Sequence, residues 1–256
     1  MSSVFVTTSW DDGHPLDLRI AEMLSRYGMT GTFYVPICHP WRPRLSVGQL
    51  RELSSAGFEI GSHGMTHKKL VGLSQPFLTW EIAESKSQIE QILGARVRTF
   101  CYPIGGHDGR VIKEVERAGY EGGRTTRMLS TRGNFDPLKI PTTIQAYRHN
   151  ARAYLKNLLR RGDPRDIAAY WTCCNAGASW VEIGKRLFDR ALREGGVWHL
   201  YGHSWEIEQH GIWRELDEML AYVGSRANVR YVTTADTLHI HEPSHAGASC
   251  LRSSAG

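Results

Sequence analysis

Two histidines four residues apart, His63 and His67, and two adjacent aspartates, Asp11 and Asp12, are the residues of this 256-residue chain best suited to chemistry. In His63-Gly64-Met65-Thr66-His67, one helical turn would bring both imidazoles to the same side of a cation. Two nitrogens do not complete a catalytic divalent centre, which generally takes three protein ligands and keeps a position open for water. The aspartate pair supplies a third ligand, and adjacency lets one carboxylate bind metal while the other takes a proton from water. Two further pairs, His199/His203 and His241/His245, share the spacing, so spacing alone does not choose. Pro243 argues against a preorganised helical face in the last pair.

Such groups need fixed elements beneath them. Residues 4–10 are rich in β-branched and aromatic types and run into Asp11-Asp12-Gly13, a turn signal, so the carboxylates fall at a strand end, where α/β folds place chemistry. Leu16, Ile20, Met23 and Leu24 follow helical spacing over 16–27, and Gly28 stops the run. The pattern then predicts strands at 32–35, 58–61, 97–102, 140–147, 197–201 and 229–232. Helices are predicted at 47–56, 76–93, 111–118, 151–160, 180–193 and 215–225, with Glu81, Glu84 and Glu90 of the second facing water. Such alternation implies a parallel sheet, closed into a barrel. We expect one catalytic barrel over residues 1–240 and a loose tail at 241–256, where small polar residues lack periodicity.

A hydrophobic fraction of 41% with 22% charged residues is that of a globular chain with a sizeable core. The net charge of +5 favours anionic surroundings, but no nucleic-acid-binding motif accompanies it. Five cysteines, an odd number without C-x-x-C spacing, suggest neither a disulfide framework nor a cysteine zinc site and favour reduced thiols, with Cys101 a packed small residue. No run of about 18 apolar residues spans a membrane. The N-terminus lacks the basic and apolar regions of a secretory signal, so the expected location is cytoplasmic, although a trimmed secreted chain would read alike. Oligomeric state is not encoded in any of these features.

Taken in order, the motifs resemble those of the NodB-like polysaccharide deacetylase family, carbohydrate esterase family 4. Ser9-Trp10-Asp11-Asp12-Gly13 resembles the first motif, usually T-F-D-D-G, which implies Asp11 as catalytic base and Asp12 as metal ligand. His63 to His67 resembles H-[S/T]-x-x-H, implying both histidines as ligands, with Gly64 replacing the usual hydroxyl residue and losing a loop-tethering hydrogen bond. Cys101-Tyr102-Pro103-Ile104-Gly105 resembles R-x-P-x-G, a groove wall, and implies the Ile104 N–H as oxyanion donor. Cys101 stands where relatives carry an arginine that orients the base; Arg98 is near in sequence but does not match that position. Tyr201-Gly202-His203 resembles L-x-H and implies His203 as general acid. The motif that supports this histidine is not recognisable, and Glu206 and Asp217 are the candidates to replace it.

The resemblance implies a distorted (β/α)-barrel of about seven units. It also implies a metal-dependent hydrolase of carbon–nitrogen bonds other than peptide bonds. The substrate would be an acetylated amino sugar in a polysaccharide, oligosaccharide or glycolipid precursor. Zinc is the first expectation, although a His₂Asp set also accepts cobalt or nickel. The same barrel would serve an O-acetyl ester or cyclic-amide hydrolase, or a catalytically silent carbohydrate-binding protein. Tyr102, Pro103, His14 and above all Trp205 are candidates to touch the sugar, among other tryptophans (Trp41, Trp171, Trp180, Trp198, Trp213) and His107. Arg148, Arg152, Lys156 and Arg160 recur every four residues, a basic stripe that would attract an anionic substrate.

Overall fold

The computed structural model describes residues 3–39, 41–150, 152–154 and 178–240. Strand β1 (Val4–Asp11) is buried along its whole length, as a central strand of a parallel sheet must be. Around it lie β2 (Thr32–Val35), β3 (Glu59–Ser62), β4 (Thr99–Cys101), β5 (Gly122–Arg124), β6 (Ile144–Gln145), β7 (Gly196–Gly202) and β8 (Val229–Tyr231). The order is β5-β4-β3-β2-β1-β7-β6, with β8 also on β1, and every pairing is parallel. β8 pairs with Val4–Val6 and β2 with Ser9–Asp11, so the two share one edge of β1 in succession. The curled sheet forms the distorted (β/α)-barrel expected. Its edges meet through the segment that leads into β6: Ile140 bridges Arg124, donating to Gly123 O at 2.8 Å, while Ile144 and Gln145 pair with β7.

Helices cover the outside. Helix α1 (Asp17–Arg26) buries Ile20, Met23 and Leu24, and α2 (Val47–Ser55) starts on a Ser46/Gln49 capping box. The predicted 76–93 helix is three pieces: α3 (Gln75–Thr79), a π-helical turn at Trp80–Glu84, and α4 (Ser85–Leu93). Glu81, expected to face water, is instead fully buried, because the π turn rotates it under the His63–His67 loop. Then follow α5 (Gly109–Arg117), α6 (Trp180–Glu194), α7 (Ser204–His210) and α8 (Trp213–Val223). Strand β5 and helix α7 had no signal in the sequence pattern. Of the predicted 151–160 helix, 152–154 are helical and the rest lies outside the described residues, as do Trp171, the His241/His245 pair and the proposed tail.

Alternation along the strands divides apolar from polar. Val4, Val6 and Trp10 of β1 join the apolar core, whereas Ser9 and Asp11 meet polar partners from other strands. His199 of β7 belongs to this interior, its Nε2 at 2.9 Å from Ser9 Oγ, and burial, then the Arg124 charge, lower its pKa to about 3. That makes it a neutral structural histidine. Among the described residues, no helix is long and apolar enough to cross a membrane.

Candidate active site

The carboxyl ends of β1, β3, β4 and β7 converge on one cleft of about 690 Å³. β1 ends at Asp11, and Asp12 turns into left-handed backbone (φ 79°), a conformation aspartate tolerates better than bulkier residues. Asp12 Oδ2 accepts from the Trp205 indole N–H at 2.9 Å. Asp12 Oδ1 is buried with no hydrogen-bond partner and lies 3.7 Å from His63 Nε2 and 3.2 Å from His67 Nε2. His63 Nδ1 donates to Cys101 O at 2.8 Å, which fixes the tautomer and leaves Nε2 as a lone pair. Burial first lowers the His63 pKa, to about 4, so the imidazole is neutral, the form a metal needs. Burial would raise the Asp12 pKa, but His203, His63 and His67 outweigh it and keep the carboxylate ionised. An orphaned carboxylate oxygen facing two available nitrogens fits a divalent cation.

Asp11, His63 and Cys101 also bring donor atoms together. They suit a cation less well: Asp11 Oδ1 is committed to Arg124, and burial, with Asp11 and Asp12 against the opposing Arg124, pushes the Cys101 thiol well above its usual pKa. A protonated thiol is a poor ligand.

Position 64 departs from the usual hydroxyl residue for a structural reason. Gly64 has φ 81°, and a Cβ there would stand 3.1 Å from Glu81 Oε2. Glu81 supplies the tether itself, accepting from the Met65 and Thr66 N–H groups at 2.9 Å each and from the Thr66 hydroxyl.

Asp11 ion-pairs with Arg124, a fully buried residue that was not recognised from the sequence. Arg124 lies in register beside Cys101 on the neighbouring strand, so the cation that Cys101 lacks arrives from β5. Arg98, by contrast, pairs with Glu121 and Asp236. Burial alone would raise the Asp11 pKa, but Arg124, then His63 and His203, bring it down to about 2. Arg124 also faces the rings of Tyr201 and Tyr34, at 4.9 and 5.3 Å.

His203 follows β7 and caps α7. Its Nε2 is 3.8 Å from Asp11 Oδ2, and its Nδ1 donates to Glu206 Oε2 at 2.6 Å. Glu206 is thus the supporting carboxylate, while Asp217 instead accepts from Tyr27. Burial would lower the His203 pKa; the Glu206 bond, Asp11 and Asp12 outweigh it and raise it.

Ile104 stands on the rim, exposed, with φ 58° and ψ 15°. A β-branched residue rarely adopts this conformation, and such strain concentrates at functional positions. Trp205 lines the cleft, as does Trp41, which is 86% exposed. Tyr102 borders it, but its ring is buried and its hydroxyl donates to Leu138 O. Pro103 is buried behind Gly64, outside the lining. His14 is also outside: its Nδ1 accepts from Leu16 N at 3.2 Å, at the start of α1, because the turn after Gly13 directs it there. His107 accompanies Tyr102, with ring centres 4.9 Å apart. Trp180 and Trp198 are in the core, and Trp213 lies under Arg19. In the basic stripe, Arg148 is paired with Glu215, and Lys156 and Arg160 fall outside the described residues.

Known structures agree on the fold, a distorted (β/α)-barrel with its cleft at the carboxyl ends of the strands. A Mycobacterium smegmatis protein assigned provisionally as a polysaccharide deacetylase aligns over 93% of this chain and 90% of its own, with 16% identity and TM-score 0.66. The carbohydrate esterase family 4 domain of a xylanase from the hindgut metagenome of Trinervitermes trinervoides covers 93% and 90%, at 13% identity and TM-score 0.56. In sequence, a provisionally named polysaccharide deacetylase of Bacillus subtilis, YxkH, is 30% identical over 125 residues, which are 47% of this chain and 44% of that protein's length. The family model described as polysaccharide deacetylase matches residues 2–123, just under half of the chain, so the chain resembles that family over this segment.

Proposed function

We propose that the protein is a metal-dependent deacetylase that removes N-acetyl groups from an acetylated amino sugar. The observation that carries this reading is the orphaned Asp12 Oδ1 facing His63 and His67 beside an ionised Asp11 in an open cleft. Asp12, His63 and His67 would hold the cation, zinc by first preference for this donor set. When bound, it supplies Lewis-acid polarisation of the acetyl carbonyl and acidifies water.

Asp11 accepts the proton of the attacking water, and Arg124 keeps that carboxylate ionised and oriented. The Ile104 N–H serves the developing oxyanion; a comparable donor typically contributes about 3 kcal/mol to barrier lowering. Amine expulsion requires a proton, because an amide anion leaves poorly. His203 Nε2 donates it, and Glu206 holds the ring by Nδ1 and favours the protonated form.

Acetate release is the direct test, using chitin oligomers, peptidoglycan fragments and acetylated xylan before and after chelation. The N-acetylated substrates should lose acetate in a reaction abolished by chelator and restored by zinc. Release indifferent to chelation would contradict the metal assignment, and release from xylan alone would replace the amide reading by ester hydrolysis.

A further inference from the structure

The loop from β2 to α2 brings His39, Trp41 and Arg42 to the wall of the catalytic cleft. Arg42 has its guanidinium carbon 3.2 Å above the Trp205 ring centre. Stacking occupies the faces of a planar guanidinium and leaves its N–H donors pointing outward in the plane, where they match a carboxylate or phosphate bidentately. Among the described residues, its one ion pair is to Asp12 Oδ2 at 3.9 Å, too long for a hydrogen bond, and that oxygen already accepts from Trp205.

The other acids of the cleft are also engaged. Asp11 is held by Arg124, Asp12 Oδ2 accepts from Trp205 while Oδ1 faces His63 and His67, and Glu206, behind His203, is held by His203 and Gln145. The cleft therefore contains a preorganised cation whose in-plane donors lack a close acceptor among the described residues. Beside it the Trp41 indole stands exposed in the same cleft.

We propose that Arg42 selects an acetamido sugar bearing an anionic oxyacid group, phosphate or carboxylate, while Trp41 provides an aromatic wall for the sugar ring. The sugar's identity as a substrate rests on the deacetylase reading; the anion site rests on the stacked guanidinium. Recognition of charge in this proposal belongs to the cleft itself.

The test uses the zinc-loaded protein with N-acetylglucosamine 1-phosphate, an N-acetylated amino-sugar uronic acid, and neutral methyl N-acetylglucosaminide. Binding is followed by calorimetry and turnover by acetate release. The native protein should prefer at least one charged sugar over the neutral one by tenfold or more, and the two charged arms identify phosphate or carboxylate. Arg42→Gln should reduce that preference at least tenfold, with Arg42→Lys, which keeps charge but not the planar fork, intermediate. Equal affinity for charged and neutral sugars in the native protein would overturn the proposal, whatever the variants do, as would unchanged preference in both folded variants. Preferential binding of a charged sugar without acetate release from any of the three would refute the deacetylase reading while leaving the anion site standing.

Discussion

Asp11→Asn should lower kcat for acetate release by about a thousandfold while leaving metal content unchanged, because positioned general bases typically contribute about 10²–10⁴. Asparagine preserves the shape of the side chain but cannot take a proton from water. Asp12, His63 and His67, the groups assigned to the cation, are untouched. With its pKa held at about 2, Asp11 is ionised at every practical assay pH. No acid limb above about pH 3 should therefore belong to Asp11, and a fall in rate between pH 5 and 7 must reflect another group. Steady-state kinetics beside metal analysis checks this; a variant that retains native kcat removes Asp11 from the chemistry.

Arg124→Leu should destabilise the fold by about 3–5 kcal/mol in urea denaturation, the usual result of leaving half of a buried ion pair unpaired. Arg124 and Asp11 are both buried. The pH dependence has a definite sign. Asp11 titrates at about 2 in the folded protein, against an ordinary 3.8, so it contributes stability that is fully present above pH 4 and is lost as pH falls toward 2. The difference of nearly two pH units corresponds to about 2 kcal/mol. Without the guanidinium, burial acts on the carboxylate with its main counterion gone, so its pKa rises and the sign reverses: stability then declines as pH rises through the new value. A loss under about 1 kcal/mol, or an unchanged pH profile, would show that Arg124 does not hold Asp11.

The first two motifs were legible because they sit where strong local patterns end. A β-branched run stops at Asp11-Asp12-Gly13, and His63 follows the last residue of β3. The counterion of Asp11 was illegible because β5 is Gly-Gly-Arg, a sequence without strand propensity that becomes a strand only through its partner β4. No rule of spacing connects position 124 with position 11. Glu206 was within sight because it lies three residues beyond His203, one turn along the same helix. Glu81 was misassigned for the opposite reason: the helical pattern was right, but a single π turn moved the side chain from water to the His63–His67 loop. His14 and Pro103, though near their motifs in sequence, lie outside the cleft lining, since a sharp turn sends adjacent side chains in different directions.

Diffraction from zinc-loaded crystals, collected on both sides of the zinc absorption edge, tests the central claim most directly. The expected result is one anomalous peak about 2.0–2.2 Å from Asp12 Oδ1, His63 Nε2 and His67 Nε2. An ion bound instead by Asp11, His63 and Cys101, or no peak in this cleft at saturating zinc, would contradict the account.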